Sequence, residues 1–251
     1  MDIIKQQLGH SNSYLIRNNR AKSDILKNIK SKFDIDPLLL IEKSYSDKLL
    51  NTLINNDTFV CPISVGTKYL LYLTRIYNED TTILISTSIT DSELLPKMQT
   101  ITLGFDSSLY NDTIIMGELL FNKREDKWVF LLERVLVYNS RFQTSNNNIG
   151  NIRLLYKIYE GFLPSYLDPF YIKPKHFVNL KNLENELKNI DYPIKGIRFY
   201  VLKNPIIFYY NTSNYDDYKN ASQLLEDIDY TVLEKDKNDL LSKISSSIKP
   251  I

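Results

Sequence analysis

The sequence has little of the residue types on which disulfide and metal sites depend. Its 251 residues include one cysteine, Cys61, and two histidines, His10 and His176. A single cysteine excludes an intramolecular disulfide, and two histidines so far apart in sequence do not form a zinc-ligand pair. We therefore expect an intracellular protein, cytoplasmic or nuclear, that binds neither a metal nor a cofactor.

The sequence also lacks an excess of charge of one sign and any long apolar run. Its 31 Lys and Arg residues are balanced by 30 Asp and Glu residues, for a formal charge of +1. This balance excludes a polycation, so any contact with nucleic acid would depend on local patches. No segment approaches the roughly 20 apolar residues of a membrane span, and residues 1–20 contain no signal-peptide core. We expect no membrane partner.

Glycine is scarce, with seven residues, whereas apolar residues make up 43% of the chain. Apolar content on this scale supports one sizeable core. The 18 tyrosines, together with many Asn, Ile and Lys residues, are typical of an AT-rich genome such as that of a parasite, plasmid or virus. With so few glycines, a glycine inside a strand needs a structural reason.

Helices are predicted on both sides of a central run of strands. Ile25, Ile29 and Phe33 repeat at helix spacing, and the apolar residues of 49–54 follow Ser46 and Asp47, which suit an N-terminal cap. Further helices are predicted over residues 152–159, 180–190, 222–228 and 237–248. We accordingly expect a helical N-terminal segment over residues 1–57 and a helical tail over residues 213–251 that packs on the same domain.

The central part of the chain, residues 58–212, has the apolar, β-branched and aromatic pattern of strands. The predicted strands are residues 58–63, 68–76, 81–87, 113–121, 127–138, 194–202 and 206–210. Short polar turns at residues 78–80 and 122–126 favour antiparallel neighbours. The sequence therefore predicts an α+β fold with an antiparallel sheet core and helices packed outside it.

Three of the predicted strand regions carry a lone glycine. Gly66 lies in ISVGTK at residues 63–68, Gly117 in MGEL at residues 116–119, and Gly196 in KGIRF at residues 195–199. An isolated strand glycine marks a bulge or a place where another group approaches the backbone closely. These three segments are the first candidates for a site.

The order of these segments resembles the nucleotidyltransferase domain shared by mRNA guanylyltransferases and polynucleotide ligases. The family motifs run KxDGxR, DGEL, an aromatic strand, and DGLIF; residues 128–139 are similar to the aromatic strand. The resemblance spans about residues 58–210 and implies an antiparallel-sheet, adenylation-type domain with flanking helices. Roughly 55 residues follow Gly196, too few for the OB-fold domain of those enzymes, so we expect none.

The departures from the family motifs remove the side chains on which the family's catalysis depends. Ile63 stands where the family has the lysine that attacks the α-phosphate, and its alkyl side chain cannot act as a nucleophile. The three motif aspartates are replaced by Val65, Met116 and Lys195. We therefore expect no catalytic residue and no metal ligand. Lys68, at the place of the motif arginine, and the retained Glu118 leave part of a ribose and phosphate pocket.

A second resemblance, to the cap-binding domain of the snurportin family, is local. It rests on the Val-Cys-Pro run at residues 60–62, which leads into Gly66 and Lys68, and on FVNLKN at residues 177–182. It implies a guanylyltransferase-like domain that binds capped RNA or a guanine nucleotide without catalysis. The ligand-binding residues that this resemblance implies are Lys68, Glu118, Gly66, Gly117, Gly196, Arg198 and Tyr209.

Each of these residues would have its own role. Lys68 would contact the phosphates, Glu118 the ribose or the base, and an aromatic residue of the last strand pair, such as Tyr209, would stack on the base, because a methylated purine cation is attracted to an aromatic face. Simpler interpretations stay open. Lys68 is then a surface lysine, Glu118 pairs with a lysine, Arg198 lies on an exposed strand face, and Cys61 is a small buried hydrophobe.

Two other functions are left open by the sequence. One is a diverged guanylyltransferase or ligase that uses a different lysine, such as Lys68, as its nucleophile. The other is a catalytically inactive structural subunit that contacts the protein partners of a transcription, capping or RNA-transport complex. Basic clusters at residues 22–32 and 173–176 also fit a phosphate-binding role, although basic faces are more often simply solvated.

Overall fold

The computed structural model describes residues 3–8, 11–35, 43–44, 58–87, 95–143, 148–183, 189–201 and 207–211. In chain order the elements are β1 (Ile3–Leu8), β2 (Ser11–Ile16), α1 (Asn19–Phe33), β3 (Lys43–Ser44), β4 (Thr58–Ser64), β5 (Thr67–Ile76), β6 (Glu79–Ser86), β7 (Met98–Ile101), β8 (Thr113–Asn122), β9 (Lys127–Tyr138), β10 (Arg141–Phe142), α2 (Asn148–Glu160), β11 (Tyr171–Pro174), β12 (Val178–Asn179), β13 (Ile194–Val201) and β14 (Ile207–Asn211). This is an α+β architecture, as predicted.

The strands form two sheets, both mostly antiparallel. The large sheet has the order β1-β2-β7-β6-β5-β8-β9-β10, and β11 pairs in parallel with β9. The small sheet has the order β12-β4-β13-β14-β3, in which β14 and β3 are parallel. Neither α-helix of the described chain is long and apolar enough to span a membrane.

The chain passes from the small sheet to the large sheet at Gly66. Consecutive strands β4 and β5 do not pair with one another, because β4 lies between β12 and β13 whereas β5 lies between β6 and β8. A Cβ atom on Gly66 would lie 2.7 Å from the carbonyl oxygen of Leu119 on β8. Glycine is therefore required here by the close approach of the turn to the large sheet.

One face of the large sheet packs against α2. Leu71 and Ile115 of the sheet belong to the same buried cluster as Leu155 and Ile158 of the helix. These helix residues are three apart and lie on one side of α2, as expected for an amphipathic helix over a sheet. The helix predicted over residues 152–159 is therefore confirmed, and its apolar side contributes to the core.

The opposite face of the large sheet is covered by both α1 and the small sheet. Leu70 and Met116 pack with Ile29 of α1 in a second buried cluster. Glu118, two residues beyond Met116 on β8, contacts Ser64 of the small sheet. Side chains two residues apart on a strand share a face, so α1 and the small sheet are side by side on it.

The N-terminal segment is only partly helical. The helix that was predicted around Ile25, Ile29 and Phe33 is present as α1, but residues 3–8 and 11–16 form an antiparallel hairpin that joins the large sheet through β7. These two strands carry mixed polar residues with no clear period; β1 pairs with β2, and β2 pairs with β7. The predicted helix at residues 46–54 and the predicted tail at residues 213–251 lie outside the described residues. The helix predicted over residues 180–190 begins as a 3₁₀ turn, and its residues 184–188 are also outside the described part.

Candidate functional site

Four charged side chains meet between the two sheets and form what we call the four-charge network: Glu118 of β8, Glu133 of β9, Lys175 after β11 and Arg198 of β13. Lys175 Nζ lies 2.7 Å from Glu118 Oε2 and 2.7 Å from Glu133 Oε2. Arg198 Nη1 lies 3.1 Å from Glu118 Oε1 and 2.6 Å from Glu133 Oε2. All four side chains are at most 1% exposed, so the network is closed to solvent.

Hydrogen bonds from the small sheet complete the network around Glu118. The backbone N–H of Ser64 donates to Glu118 Oε2 at 2.9 Å, and its hydroxyl donates to the same oxygen at 2.6 Å. Burial alone would raise the pKa of Glu118, but the charges of Lys175 and Arg198 and these hydrogen bonds outweigh it and lower the pKa. Glu118 is consequently an ionised acid at neutral pH.

Lys175 is held in its charged form by the same contacts. Burial would lower the pKa of its ammonium group, but the carboxylates of Glu118 and Glu133 raise it above the ordinary lysine value. Two cations and two carboxylates thus neutralise one another at the centre of the junction. A buried group of this kind is tolerated only because each charge has partners with good geometry.

A β-bulge lies on β9 at Glu133. In the register of β8 with β9, Met116 pairs with Arg134 and Gly117 pairs with Leu132, which leaves Glu133 as an extra residue on β9. Leu131, two residues before Glu133, packs with Tyr192 on the small-sheet side, so the ordinary alternation of β9 already brings Glu133 to Lys175 and Arg198. The bulge shifts the alternation of the residues after it, because Leu132 and Val135 belong to the same buried cluster.

A second bulge lies on β13 at Lys195. Ile194 pairs with Ser64 of β4, and Gly196 pairs with Ile63, so Lys195 is the extra residue. Gly117 and Gly196 therefore both stand beside a bulge, which is one of the two explanations that the sequence offered for a lone strand glycine.

Close approach explains glycine at position 117. A Cβ atom there would lie 2.4 Å from Cε1 of Phe130 and 2.5 Å from the carbonyl oxygen of Leu131, both on β9. No other residue fits without a shift of the neighbouring strand.

Lys68 and Lys195 form what we call the cationic margin of the network. Lys68 lies directly opposite Glu118 in the pairing of β5 with β8, and opposite residues project to the same face. Burial lowers the pKa of Lys195; the charge of Glu118 opposes this shift, and the charges of Lys68, Arg198 and Lys175 strengthen it. Burial is the main cause of the lowered pKa of Lys195, and the charge of Lys68 is one of three that add to it.

The structure brings six of the seven sequence-predicted residues to this junction. Glu118 and Arg198 are in the network, Lys68 is in its margin, Gly66 forms the turn between the sheets, and Gly117 and Gly196 stand beside the bulges. The exposed-face interpretation of Arg198 is wrong, because its side chain is 1% exposed and ion-paired.

Tyr209 is the seventh predicted residue. Tyr209 pairs with Arg198 across β13 and β14, and its side chain lies outside the described part of the structure.

Ile63 lies on the same strand as Cys61, opposite Gly196 of β13. Its side chain is 2% exposed, and Cys61 is fully buried. Burial raises the pKa of the Cys61 thiol, which is therefore a small hydrophobe, as predicted. The position at which the resemblance places a nucleophilic lysine is thus an apolar part of the interior.

Sequence reasoning missed Glu133 and misjudged Lys175. Glu133 is a lone acid in the apolar strand LLERVLV, and that signal would have identified it by the argument used for Glu118. Lys175 was predicted as part of a surface basic cluster with Lys173 and His176. The structure separates them, because Lys173 binds Glu125 at the surface at 3.1 Å whereas Lys175 is buried.

Within the described ranges, no group of three or more His, Cys, Asp or Glu side chains is placed to hold a metal ion. No protein-family model matches the chain, and a search of the curated proteins gives no match. The four-charge network and the cationic margin, at the junction between the two sheets, are therefore the features from which a function can be inferred.

Proposed function

We propose that the chain binds the guanine cap of an RNA, or a guanine nucleotide, at the junction of the two sheets and does not form a covalent adduct with it. The cationic margin is the observation that carries this proposal. Lys68 and Lys195 are close enough for their charges to interact, and they lie beside a network whose own two cations and two carboxylates balance. The phosphates of a nucleotide would relieve the repulsion between these cations and form charge-assisted hydrogen bonds with them.

The proposal of binding without catalysis is supported by Ile63. The side chain at this position is buried and apolar, and it faces Gly196 across the β4–β13 pair. Formation of a nucleotidyl adduct needs an amine that can attack the α-phosphate, and an alkyl side chain has none.

In this proposal the network residues position the site and the margin residues bind. Glu118 accepts bonds from Ser64 and pairs with Lys175 and Arg198, so its oxygens are already occupied. Its role is to hold β8 against β4 at the turn that presents Lys68. An aromatic side chain of β14, for which Tyr209 is our candidate, would stack on the base.

The test is calorimetric titration of the full chain with GTP, 7-methyl-GTP, a trimethylguanosine cap analogue and ATP. We expect a guanine ligand to bind, and Lys68→Ala or Lys195→Ala to weaken its affinity about tenfold, or ~1.4 kcal/mol. Lys157→Ala is the matched control, because Lys157 is exposed on α2. Absence of binding by all four ligands would contradict the proposal and favour the structural-subunit alternative.

The lowered pKa of Lys195 favours one other function, an enzyme that uses this lysine as its nucleophile. An amine that is desolvated and close to other cations is the usual form of an activated lysine. Incubation with labelled GTP or ATP and Mg²⁺ or Mn²⁺ tests it. A covalent adduct that Lys195→Arg abolishes would replace our proposal, and absence of an adduct in the presence of reversible binding would support ours.

A further inference from the structure

The hydroxyl of Tyr192 is buried and has no hydrogen-bond partner. It is the one buried side-chain nitrogen or oxygen of the described residues in this condition. Buried polar groups nearly always have a partner, and leaving one unpaired costs free energy. An orphaned hydroxyl therefore needs an explanation, and a ligand that completes its bonding is one.

Tyr192 is held at the junction by contacts on both sides. Its ring packs against Leu120, Val129 and Leu131 of the large sheet. The next residue, Pro193, accepts a hydrogen bond at 3.3 Å through its carbonyl oxygen from the N–H of Val65. The segment that carries Tyr192 is thereby tied to the turn between β4 and β5, which leads directly to Lys68.

The surroundings of the hydroxyl define the chemistry of its partner. Burial raises the pKa of Tyr192 well above its ordinary value, and the charges of Glu118, Asp191 and Glu133 raise it further. The phenol is therefore neutral and able both to donate and to accept a hydrogen bond. Nearby carboxylates disfavour an anion at this point, so a neutral polar group suits it better than a phosphate.

We propose that the Tyr192 hydroxyl binds a ribose hydroxyl of the nucleotide whose phosphates lie at Lys68 and Lys195. This inference rests on the proposed function and adds to it the group that recognises the sugar. A ribose hydroxyl is neutral and both donates and accepts. It therefore matches the phenol, whereas the charged phosphates suit Lys68 of β5 and Lys195 of β13.

The experiment compares wild type with Tyr192→Phe, using GTP and 2′,3′-dideoxy-GTP in calorimetric titrations of the full chain. We expect Tyr192→Phe to weaken GTP binding about tenfold, and dideoxy-GTP to bind wild type about tenfold more weakly than GTP. Since both changes remove the same hydrogen bond, the variant should bind the two ligands with similar affinity. Tyr166→Phe is the control, because Tyr166 is 89% exposed.

Thermal melting of the ligand-free variant gives an independent readout. Removal of an unpaired hydroxyl should leave the melting temperature of Tyr192→Phe equal to or above that of wild type. A fall of several degrees would show a structural partner for the hydroxyl and overturn the inference. Titrations would also overturn it if Tyr192→Phe bound GTP as tightly as wild type, or if the losses caused by the variant and by dideoxy-GTP were additive. If wild type binds no nucleotide, the proposed function fails as well; if wild type binds and Tyr192→Phe binds equally well, this inference alone fails.

Discussion

The four-charge network and the cationic margin are adjacent, but they use charge differently. In the network, Lys175 and Arg198 are neutralised by Glu118 and Glu133, and none of the four side chains is more than 1% exposed. In the margin, Lys68 lies opposite Glu118, and burial together with the charges of Lys68, Arg198 and Lys175 lowers the pKa of Lys195. Balanced buried charges hold strands together, whereas an anionic partner stabilises a lysine that lies near other cations.

This difference also explains why the network is better understood as structure than as a binding surface. Its members come from β8, β9, β13 and the segment after β11, so each ion pair joins elements that are distant in sequence. A buried ion pair adds little net stability compared with apolar packing, yet the loss of one partner leaves an uncompensated charge inside the protein. The network therefore fixes how the small sheet sits on the large one.

The largest effect should follow from Lys175→Met. It leaves Glu118 and Glu133 with an excess of buried negative charge, and we expect a loss of about 3–5 kcal/mol in the free energy of unfolding, measured by urea denaturation. Lys173→Met is the matched control, since the 38%-exposed Lys173 contributes a surface ion pair worth at most about 1 kcal/mol. Similar losses in the two variants would contradict the buried-network interpretation.

Gly117→Ala should also destabilise the protein, by about 1–3 kcal/mol, because the added methyl group would press into the Phe130 ring and the β9 backbone. Gly161→Ala is the comparison. There the added Cβ would meet only the carbonyl oxygens of Ile158 and Lys157, at 3.7 and 3.8 Å, so the change in unfolding free energy should be small. An equal effect at both positions would mean that the approach of β8 to β9 is not tight.

Acidification should weaken the network. The pKa of Glu118 is lower in the folded chain than its ordinary value of 4.5, so its contribution to stability is complete above about pH 4.5 and is lost as the pH falls towards the folded pKa. Denaturation as a function of pH should show this loss in wild type. Glu118→Gln should be less stable at pH 7 and should lose less on acidification; parallel pH profiles for the two proteins would contradict the assignment.

The smallest effect should be the uptake of protons by Lys195 when a nucleotide binds. A phosphate beside Lys195 should raise the lowered pKa of its ammonium group, so nucleotide binding should take up a fraction of a proton near the pKa of the free protein. Calorimetry between pH 7 and 10 in buffers of different ionisation enthalpy measures this uptake. Lys195→Met should abolish it, and uptake that persists in this variant would assign the effect to another group.

The strands could be predicted because their signal is local. The seven predicted strands correspond to β4, β5, β6, β8, β9, β13 and β14 with bounds that differ by at most two residues, since apolar, β-branched runs and polar turns are read directly from the sequence. Strand partners are a non-local property, and the separation of β4 and β5 into different sheets was not evident from a strand-glycine-strand pattern.

The site was only partly predictable for a related reason. Glu118 and Lys68 were identified from motif positions, but Glu133 and Lys195 are the extra residues of two bulges, and a register shift of this kind is not visible in the sequence. A strict period of two gives the wrong face for the residues after the β9 bulge, since Leu132 and Val135 belong to the same buried cluster. Lys175 was misjudged because it and Lys173 look alike in the sequence. Only the contacts with Glu118 and Glu133, on strands distant in sequence, distinguish the buried lysine from the surface one.

Photolabelling tests most directly the claim that a guanine nucleotide binds at the junction of the sheets. The full chain would be irradiated with 8-azido-GTP, with and without excess 7-methyl-GTP, and the labelled peptides mapped by mass spectrometry. We predict competed labelling confined to residues 63–68, 189–198 or 207–211, which the structure places on the strands and turns of the junction. Labelling that is spread over other surfaces, or that the competitor leaves unchanged, would contradict the account.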